Sequence, residues 1–264
     1  MAQDYYTLVT GGSCGIGKAF ALECARRGHN LLLAALPGQD LDETAEFLRS
    51  HFPIKAETLA IDLTEKDSPA ALFNWCRDNR YTVNILINNA GAAGAAVFEE
   101  SSLEYSDIRI QLNIRALVLL IRLFIPEMKK LEKAYILNIG SMSAFHSIPY
   151  KSVYAATKAF VLHFTRGLHG ELAETSIKVC VLCPQGVRTN KSAGARIDAH
   201  GFLGRLTEND PEKLARLGLD KLFKGKVVII PGFINKLLLF IGYISPSKIE
   251  QWILKKEFRK EIGK

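Results

Sequence analysis

Seven short apolar runs of β type recur along the chain, near residues 5–10, 30–36, 56–61, 83–88, 134–140, 177–183 and 226–230, with longer helical patterns between them. Strands that alternate with helices in this way predict a parallel, doubly wound sheet with helices on both faces. The expected fold is therefore α/β, a three-layer α/β/α sandwich around a seven-stranded parallel sheet. At 264 residues, 48% hydrophobic and 23% charged, the chain is long enough for one large domain with a full core. No tandem repeat, low-complexity tract or linker divides it, so residues 1–264 are read as a single domain.

The first run leads into the most constrained turn. "YYTLVTGGSCGIGKAFALECARRG" passes from a strand through a glycine-rich loop into an alanine-rich helix. Glycines at 11, 15 and 17 allow a tight turn, close approach to a pyrophosphate and packing of helix on strand. The helix N-terminus offers unpaired N–H groups to phosphates. The spacing is G-x-x-x-G-x-G, not the general G-x-G-x-x-G, and the loop from Gly11 through Ser13, Cys14, Gly15, Ile16 and Gly17 is a candidate dinucleotide cradle.

A second constellation follows. Tyr154 and Lys158 stand four apart in "YAATK", where Ala155, Ala156, Ala159 and Leu162 favour a helix from Ser152 onward, so they share one helix face. A free phenol ionises near pKa ~10; an ammonium held close pulls that value toward neutrality and lets the tyrosine trade protons. Ser141 follows the buried-strand pattern "AYILNIG", at a carboxyl edge where open α/β sheets bind ligands. A Tyr–Lys pair at this spacing also occurs by chance in many helices, so the case rests on the motifs together.

TGGSCGIG, NNAG at 88–91, Asn113, Ser141 and YAATK together resemble the short-chain dehydrogenase/reductase family, in the family's order, over about the first 190 residues. The resemblance implies a Rossmann-type, NAD(P)-dependent oxidoreductase acting on a carbonyl or CH–OH group. It implies that Ser141 polarises the carbonyl, that Tyr154 is the general acid in reduction, and that Lys158 binds the nicotinamide ribose while lowering the tyrosine pKa. Asn113 would anchor a water that relays protons to Lys158; an amide satisfied within its helix is the alternative. Asp62, beside Leu63, would accept from the adenine amino group or cap a helix. Asn89, Ala90 and Gly91 would line the adenosine side. In "CPQGVRTN", Pro184, Val187 and Thr189 match the segment that contacts the carboxamide, but Gln185 replaces a usual glycine, and Gly186 is expected to restore the flexibility.

Cofactor choice has the thinnest basis. A carboxylate ending the second strand would clasp the ribose 2′-OH of NAD, and a nearby arginine would accept the 2′-phosphate of NADP. Ala35 and Leu36 occupy those positions, and Cys14 fills a loop position often basic in NADP users. Without the acid nothing repels a phosphate, which favours NADP(H) over NAD(H), with Gln39 or backbone amides as donors; Asp40 is read as the start of the next helix. A catalytically silent dinucleotide-binding regulator is the competing reading, motivated by Gln185.

The net charge of +7 sits on basic residues read as dispersed, with a local excess in "KKEFRKEIGK", and no nucleic-acid module is visible. Five cysteines, an odd number with no secretory leader, point to a reducing cytoplasm. Cys180 and Cys183 read as strand residues, not as metal ligands, and no metal site is expected. Residues 190–264 are expected to supply a mobile substrate lid followed by a C-terminal helical extension. This ending resembles a subgroup associated with ketoacyl, steroid-like or otherwise apolar substrates. Val227–Ile244 is apolar, but Pro231, Gly232, Asn235 and Lys236 interrupt it below the ~20 residues of a span; peripheral membrane contact ranks behind subunit or pocket packing. The helix-like stretch Leu103–Leu131 is where relatives pair subunits, so a homodimer or homotetramer is expected.

Overall fold

The computed structural model describes residues 4–201, 206–245 and 247–262. Strands β1 (Tyr5–Thr10), β2 (Asn30–Ala35), β3 (Ala56–Ala60), β4 (Thr82–Asn88), β5 (Ala134–Ile139), β6 (Ile177–Leu182) and β7 (Val228–Ile229) form one sheet in the order β3-β2-β1-β4-β5-β6-β7. Every pairing is parallel. The strand order reverses between β1 and β4, so a crevice opens beyond their carboxyl ends, where ligands of such sheets bind.

The strands are apolar without strict alternation because helices cover both faces. Leu8, Leu32, Leu86, Ile136 and Val181 point into one core, against Leu72 of α3 (Ser68–Asp78), Leu120 and Phe124 of α5 (Leu117–Met128) and Val161 of α6 (Ser152–Glu171). Val9, Leu31, Leu33, Ile87 and Leu182 point into the other. There they meet Phe20 of α1 (Gly15–Arg26), Leu48 of α2 (Gln39–His51) and Leu219 of α8 (Pro211–Phe223). Cys180 and Cys183 are three apart and fall into opposite cores as free thiols.

The stretch expected as one long helix is α4 (Leu103–Ile110) and α5 joined by a π-helical segment, Gln111–Ala116. Asp210 caps α8 by accepting from the Lys213 N–H, and Pro211 takes the first helical position, as the sequence predicts. The lid segment differs from expectation. Its first half is α7 (Lys191–Ala199), because the Asn190 side chain caps it by accepting from the Ala193 N–H. Arg188 then pairs with Asp198 and Glu208, tying both ends of the segment together; residues 202–205 lie outside the described residues. Two further helices, α9 (Phe233–Ile244) and α10 (Ser247–Arg259), follow, the second running into a 3-10 turn at Lys260–Ile262.

Candidate active site

Lys158 lies one turn into α6 after Tyr154, and it is buried. Its ammonium donates to the Ile139 carbonyl at the end of β5 over 2.8 Å and sits 6.0 Å from the centroid of the Tyr154 ring. Burial pulls the Lys158 pKa down to about 8, so the amine still carries its charge near neutrality. The Cys183 thiol behind it is pushed up to about 12 by burial and stays neutral. Among the described residues no carboxylate pairs with Lys158. Its charge is left to act on what enters the crevice.

Ser141 follows β5 in extended conformation and caps a short 3-10 turn, Met142–Phe145. Its Oγ accepts from the Ser143 N–H at 3.1 Å and from the Ser143 hydroxyl at 2.9 Å. A hydroxyl that accepts twice keeps its own proton to donate. The Met142 N–H donates to the Pro184 carbonyl, which fixes this turn to the end of β6. Ser143 was not among the residues singled out from sequence, although a second hydroxyl two positions on was visible.

Asn113 lies inside the π-helical segment, a local widening common at functional sites. Its Oδ1 accepts from the Ala92 N–H at 2.8 Å, and its Nδ2 donates to the Ala92 carbonyl and to the Thr157 hydroxyl, both at 3.0 Å. The Thr157 hydroxyl donates in turn to the Tyr154 carbonyl. Asn113 thus clamps the loop after β4 to the first turn of α6. A Cβ on Gly91 would lie 3.0 Å from Asn113 Oδ1 and 3.5 Å from Lys158 Nζ, so only a bare backbone passes between them easily.

The glycine loop has the shape of a phosphate cradle. Gly11 and Gly15 take left-handed φ values of 64° and 54°, while a Cβ on Gly17 would lie 2.0 Å from the Gly11 carbonyl oxygen. Cys14 occupies the N-cap of α1 without a side-chain bond to the helix, and no acid lies in the first turn. The helix therefore keeps its N-terminal N–H groups and positive end for an anion. Thr44 holds the loop by donating to the Ser13 carbonyl, and Ile16 packs on the core beneath. Asn89 Nδ2 bridges the Thr10 and Gly11 carbonyls, and the Thr10 hydroxyl accepts from the Asn89 and Ala90 N–H groups. Thr189 reaches over from the far side, where a Cβ on Gly15 would meet it at 2.7 Å. These donors and this bare backbone fit a nicotinamide dinucleotide.

Three readings need adjustment. Asp62 does not cap α3, whose N-cap is Asp67; its Oδ1 accepts from the N–H and hydroxyl of Thr64, with Leu63 buried beside it. Gly186 adopts no left-handed φ. It supplies room, since a Cβ there would lie 2.9 Å from Ile197 Cγ1. The exposed Gln185 is accommodated because Asn209 accepts from its N–H and donates its own N–H to the Gly186 carbonyl, next to a bridge between Val187 and Asn209. Asp40 lies in the first turn of α2, as expected; the Gln39 side chain lies outside the described residues.

The rim comes from the C-terminal segment. His146 Nδ1 lies 2.5 Å from Glu250 Oε1, Lys151 donates to Glu261 over 2.9 Å, and His200 Nε2 meets the same carboxylate at 2.7 Å. Burial acts to raise the Glu261 pKa, but His200 and Lys151 outweigh it and hold the carboxylate below its ordinary value.

Residues 6–199 match the family described as short chain dehydrogenase. A very-long-chain 3-oxoacyl-CoA reductase of Danio rerio is 32% identical over 190 residues, which cover 70% of this chain and 58% of the relative. The chain thus spans less than two thirds of that reductase's length. Among solved structures, a short-chain dehydrogenase from Sphingobium yanoikuyae in complex with NADPH has a TM-score of 0.79 at 33% identity, covering 90% of this chain and 92% of that one. The bulky-bulky ketone specific alcohol dehydrogenase from Comamonas testosteroni has a TM-score of 0.77 at 29% identity, covering 90% of each chain. With a dinucleotide cradle at the switch point and a tyrosine–lysine helix facing it, this chain belongs to the short-chain dehydrogenase/reductase family and is an NAD(P)-dependent oxidoreductase.

Proposed function

We propose that the protein transfers hydride between NADP(H) and a ketone or secondary alcohol of apolar or acyl-like character. The observation that carries this is the buried Lys158 ammonium, without a carboxylate partner among the described residues, one helical turn from Tyr154 and beside the bare backbone of Gly91. When bound, the nicotinamide supplies or accepts the hydride. Tyr154 gives its proton to the carbonyl oxygen in reduction and takes it back in oxidation. Ser141, its hydroxyl held by Ser143, donates to the same oxygen. Lys158 holds the nicotinamide ribose and stabilises the phenolate by its charge. Asn113 positions Lys158 through the 90–92 loop and offers the remaining Oδ1 lone pair to a water that relays protons to Lys158.

Gly11, Ser13, Cys14, Gly15, Ile16 and Gly17 hold the pyrophosphate side, and Asp62, Leu63, Asn89, Ala90 and Gly91 the adenosine side. Pro184, Val187 and Thr189 line the carboxamide. The end of β2 supports NADP(H) because buried Ala35 and exposed Leu36 offer no carboxylate to repel a phosphate. Aromatic residues beside Tyr154, namely Phe98, Tyr105 and Tyr150, support an apolar substrate. We read residues 190–264 as the substrate-selecting part of the same domain. We place the protein in the cytoplasm, as a homodimer or homotetramer paired through α4 and α5, where Leu103 and Ile110 are exposed.

The test follows NADPH and NADH oxidation separately against ketones graded from small and polar to long acyl and steroid-like. Faster turnover with NADPH and a rise with apolar length support the proposal. Tyr154→Phe should cut turnover by on the order of 10²–10⁴-fold while leaving cofactor affinity almost unchanged. A variant that keeps its rate overturns the assignment.

A further inference from the structure

The chain's positive charge is not spread evenly after all. Residues 1–220 hold 24 basic and 24 acidic side chains, whereas residues 221–264 hold ten Lys and Arg against three Glu, so the whole net charge of +7 lies in the last 44 residues. The three acids there turn toward the body or pair locally: Glu250 to His146, Glu261 to Lys151 and His200, and Glu257 to His200 and Lys260.

The same segment exposes apolar surface in an ordered way. On α9, Phe233, Leu237, Phe240, Ile241 and Ile244 are exposed, spaced i, i+4, i+7, i+8 and i+11, and they form one stripe. Asn235 and Leu239 on the opposite side are buried. The helix therefore turns an apolar face outward, the reverse of an ordinary surface helix. On α10, Ile249, Trp252 and Ile253 are exposed on one face together with Lys256, whose ammonium lies 5.9 Å from the Trp252 ring centroid. Between α8, β7 and the start of α9, an apolar cavity of about 590 Å³ is rimmed by Lys221, Lys226 and Lys236.

We infer that the exposed apolar stripes of α9 and α10 dock on an anionic lipid bilayer, with the lysines beside them meeting lipid phosphates. Charge selects this occupant. A second copy placed on the same surface by a two-fold axis would set lysine against lysine, whereas anionic headgroups neutralise them. An apolar stripe flanked by lysines, with tryptophan among its exposed residues, suits the headgroup–acyl boundary. Among the described residues no helix is long and apolar enough to cross a membrane, and the contact proposed is a peripheral one. His146 and Lys151 tie this segment close to Ser141 and Tyr154, so docking brings the substrate mouth toward the lipid.

The test is co-sedimentation of the full chain with vesicles of phosphatidylcholine alone and with about one third phosphatidylglycerol, while Trp252 emission is followed. Binding to the anionic vesicles only, weakened by salt and accompanied by a blue shift that Trp252→Phe removes, is expected. Phe240→Asp and Ile244→Asp, both at exposed positions, should keep the thermal midpoint and lower partitioning by more than about tenfold. Neutralising Lys236 or Lys256 should lower it by about fivefold each. No binding to anionic vesicles at low salt overturns the inference, and so does binding indifferent to Phe240→Asp and Ile244→Asp. A Phe240→Asp change that alters particle size in solution but not partitioning makes the face a subunit contact and also overturns it.

Discussion

Replacing Lys158 with methionine should make the cofactor-free protein more stable while removing its activity. The amine is buried with one carbonyl acceptor and no carboxylate among the described residues, and its pKa falls from 10.5 to about 8. At about 1.4 kcal/mol per unit, keeping it charged near pH 7 costs about 3 kcal/mol relative to the unfolded chain. Methionine removes that cost but also loses the bond to Ile139, about 1 kcal/mol, which leaves a gain of about 2 kcal/mol. In a chain of this size such a gain lifts the midpoint by about 5 °C. The pH dependence follows from linkage: between pH 8 and 10.5 the unfolded chain holds a proton that the folded one has lost, so wild-type stability climbs across that window and is lowest below it. The variant lacks this rise, and its advantage fades as pH approaches 10.5. Urea unfolding without nucleotide, at neutral pH and near the top of the window, measures both terms. A variant no more stable than wild type at neutral pH, or with the same advantage at both, refutes the buried-charge argument.

Other substitutions separate structure from chemistry. Gly17→Ala would set a Cβ 2.0 Å from a backbone oxygen and 2.8 Å from a backbone carbon; thermal unfolding should show a loss of about 3 kcal/mol or more, with nucleotide binding gone. Gly167→Ala, in α6 with nothing near its Cβ, should instead gain up to about 1 kcal/mol. Of the five thiols only Cys14 is exposed, while burial raises the pKa of Cys24, Cys76, Cys180 and Cys183. One thiol per native chain should therefore react with an aromatic disulfide reagent, and NADPH should slow it; several fast thiols would contradict the burial. Glu261→Gln should loosen residues 247–262, read as faster proteolysis or amide exchange there. Because the carboxylate pKa is depressed, its contribution is full above the ordinary value of 4.5 and fades as pH falls through the folded value, so wild type and variant should converge in acid.

The fold was legible because both sheet faces are covered. Continuous apolar runs such as "NLLLAA" mark strands buried on two sides, and the structure sets them at the centre of a seven-stranded parallel sheet whose edge strands β3 and β7 are less buried. The placement of the candidate site was legible where one residue type has one expected chemical use, as with Tyr154, Lys158 and the glycines. It was not legible where the partner is backbone or distant in sequence. Nothing in the sequence announced that Asn113 would bond Ala92 and Thr157, that Ser143 would donate to Ser141, or that Asn209 would brace Gln185. The helical start of the lid was missed because glycine at 194 read as a loop signal. In the structure that glycine makes room for Arg188, since a Cβ there would lie 2.7 Å from the guanidinium.

The family match ends at residue 199, and the segment beyond it borders the candidate site. Ser141, Tyr154, Lys158 and the cradle all lie within the matching part, although α8 and β7, beyond it, complete the core under α1 and β6. The groups that border them do not stand alone. His146, five residues after Ser141, and Lys151, three before Tyr154, both bond to glutamates of residues 250–261. On the proposed function a change in the tail moves the approach to the reacting oxygen without touching Ser141, Tyr154 or Lys158, so it should act on KM before kcat. On the proposed function, chemistry belongs to the matching part, and the choice of substrate to the segment that is most basic, most apolar at its surface and outside the match.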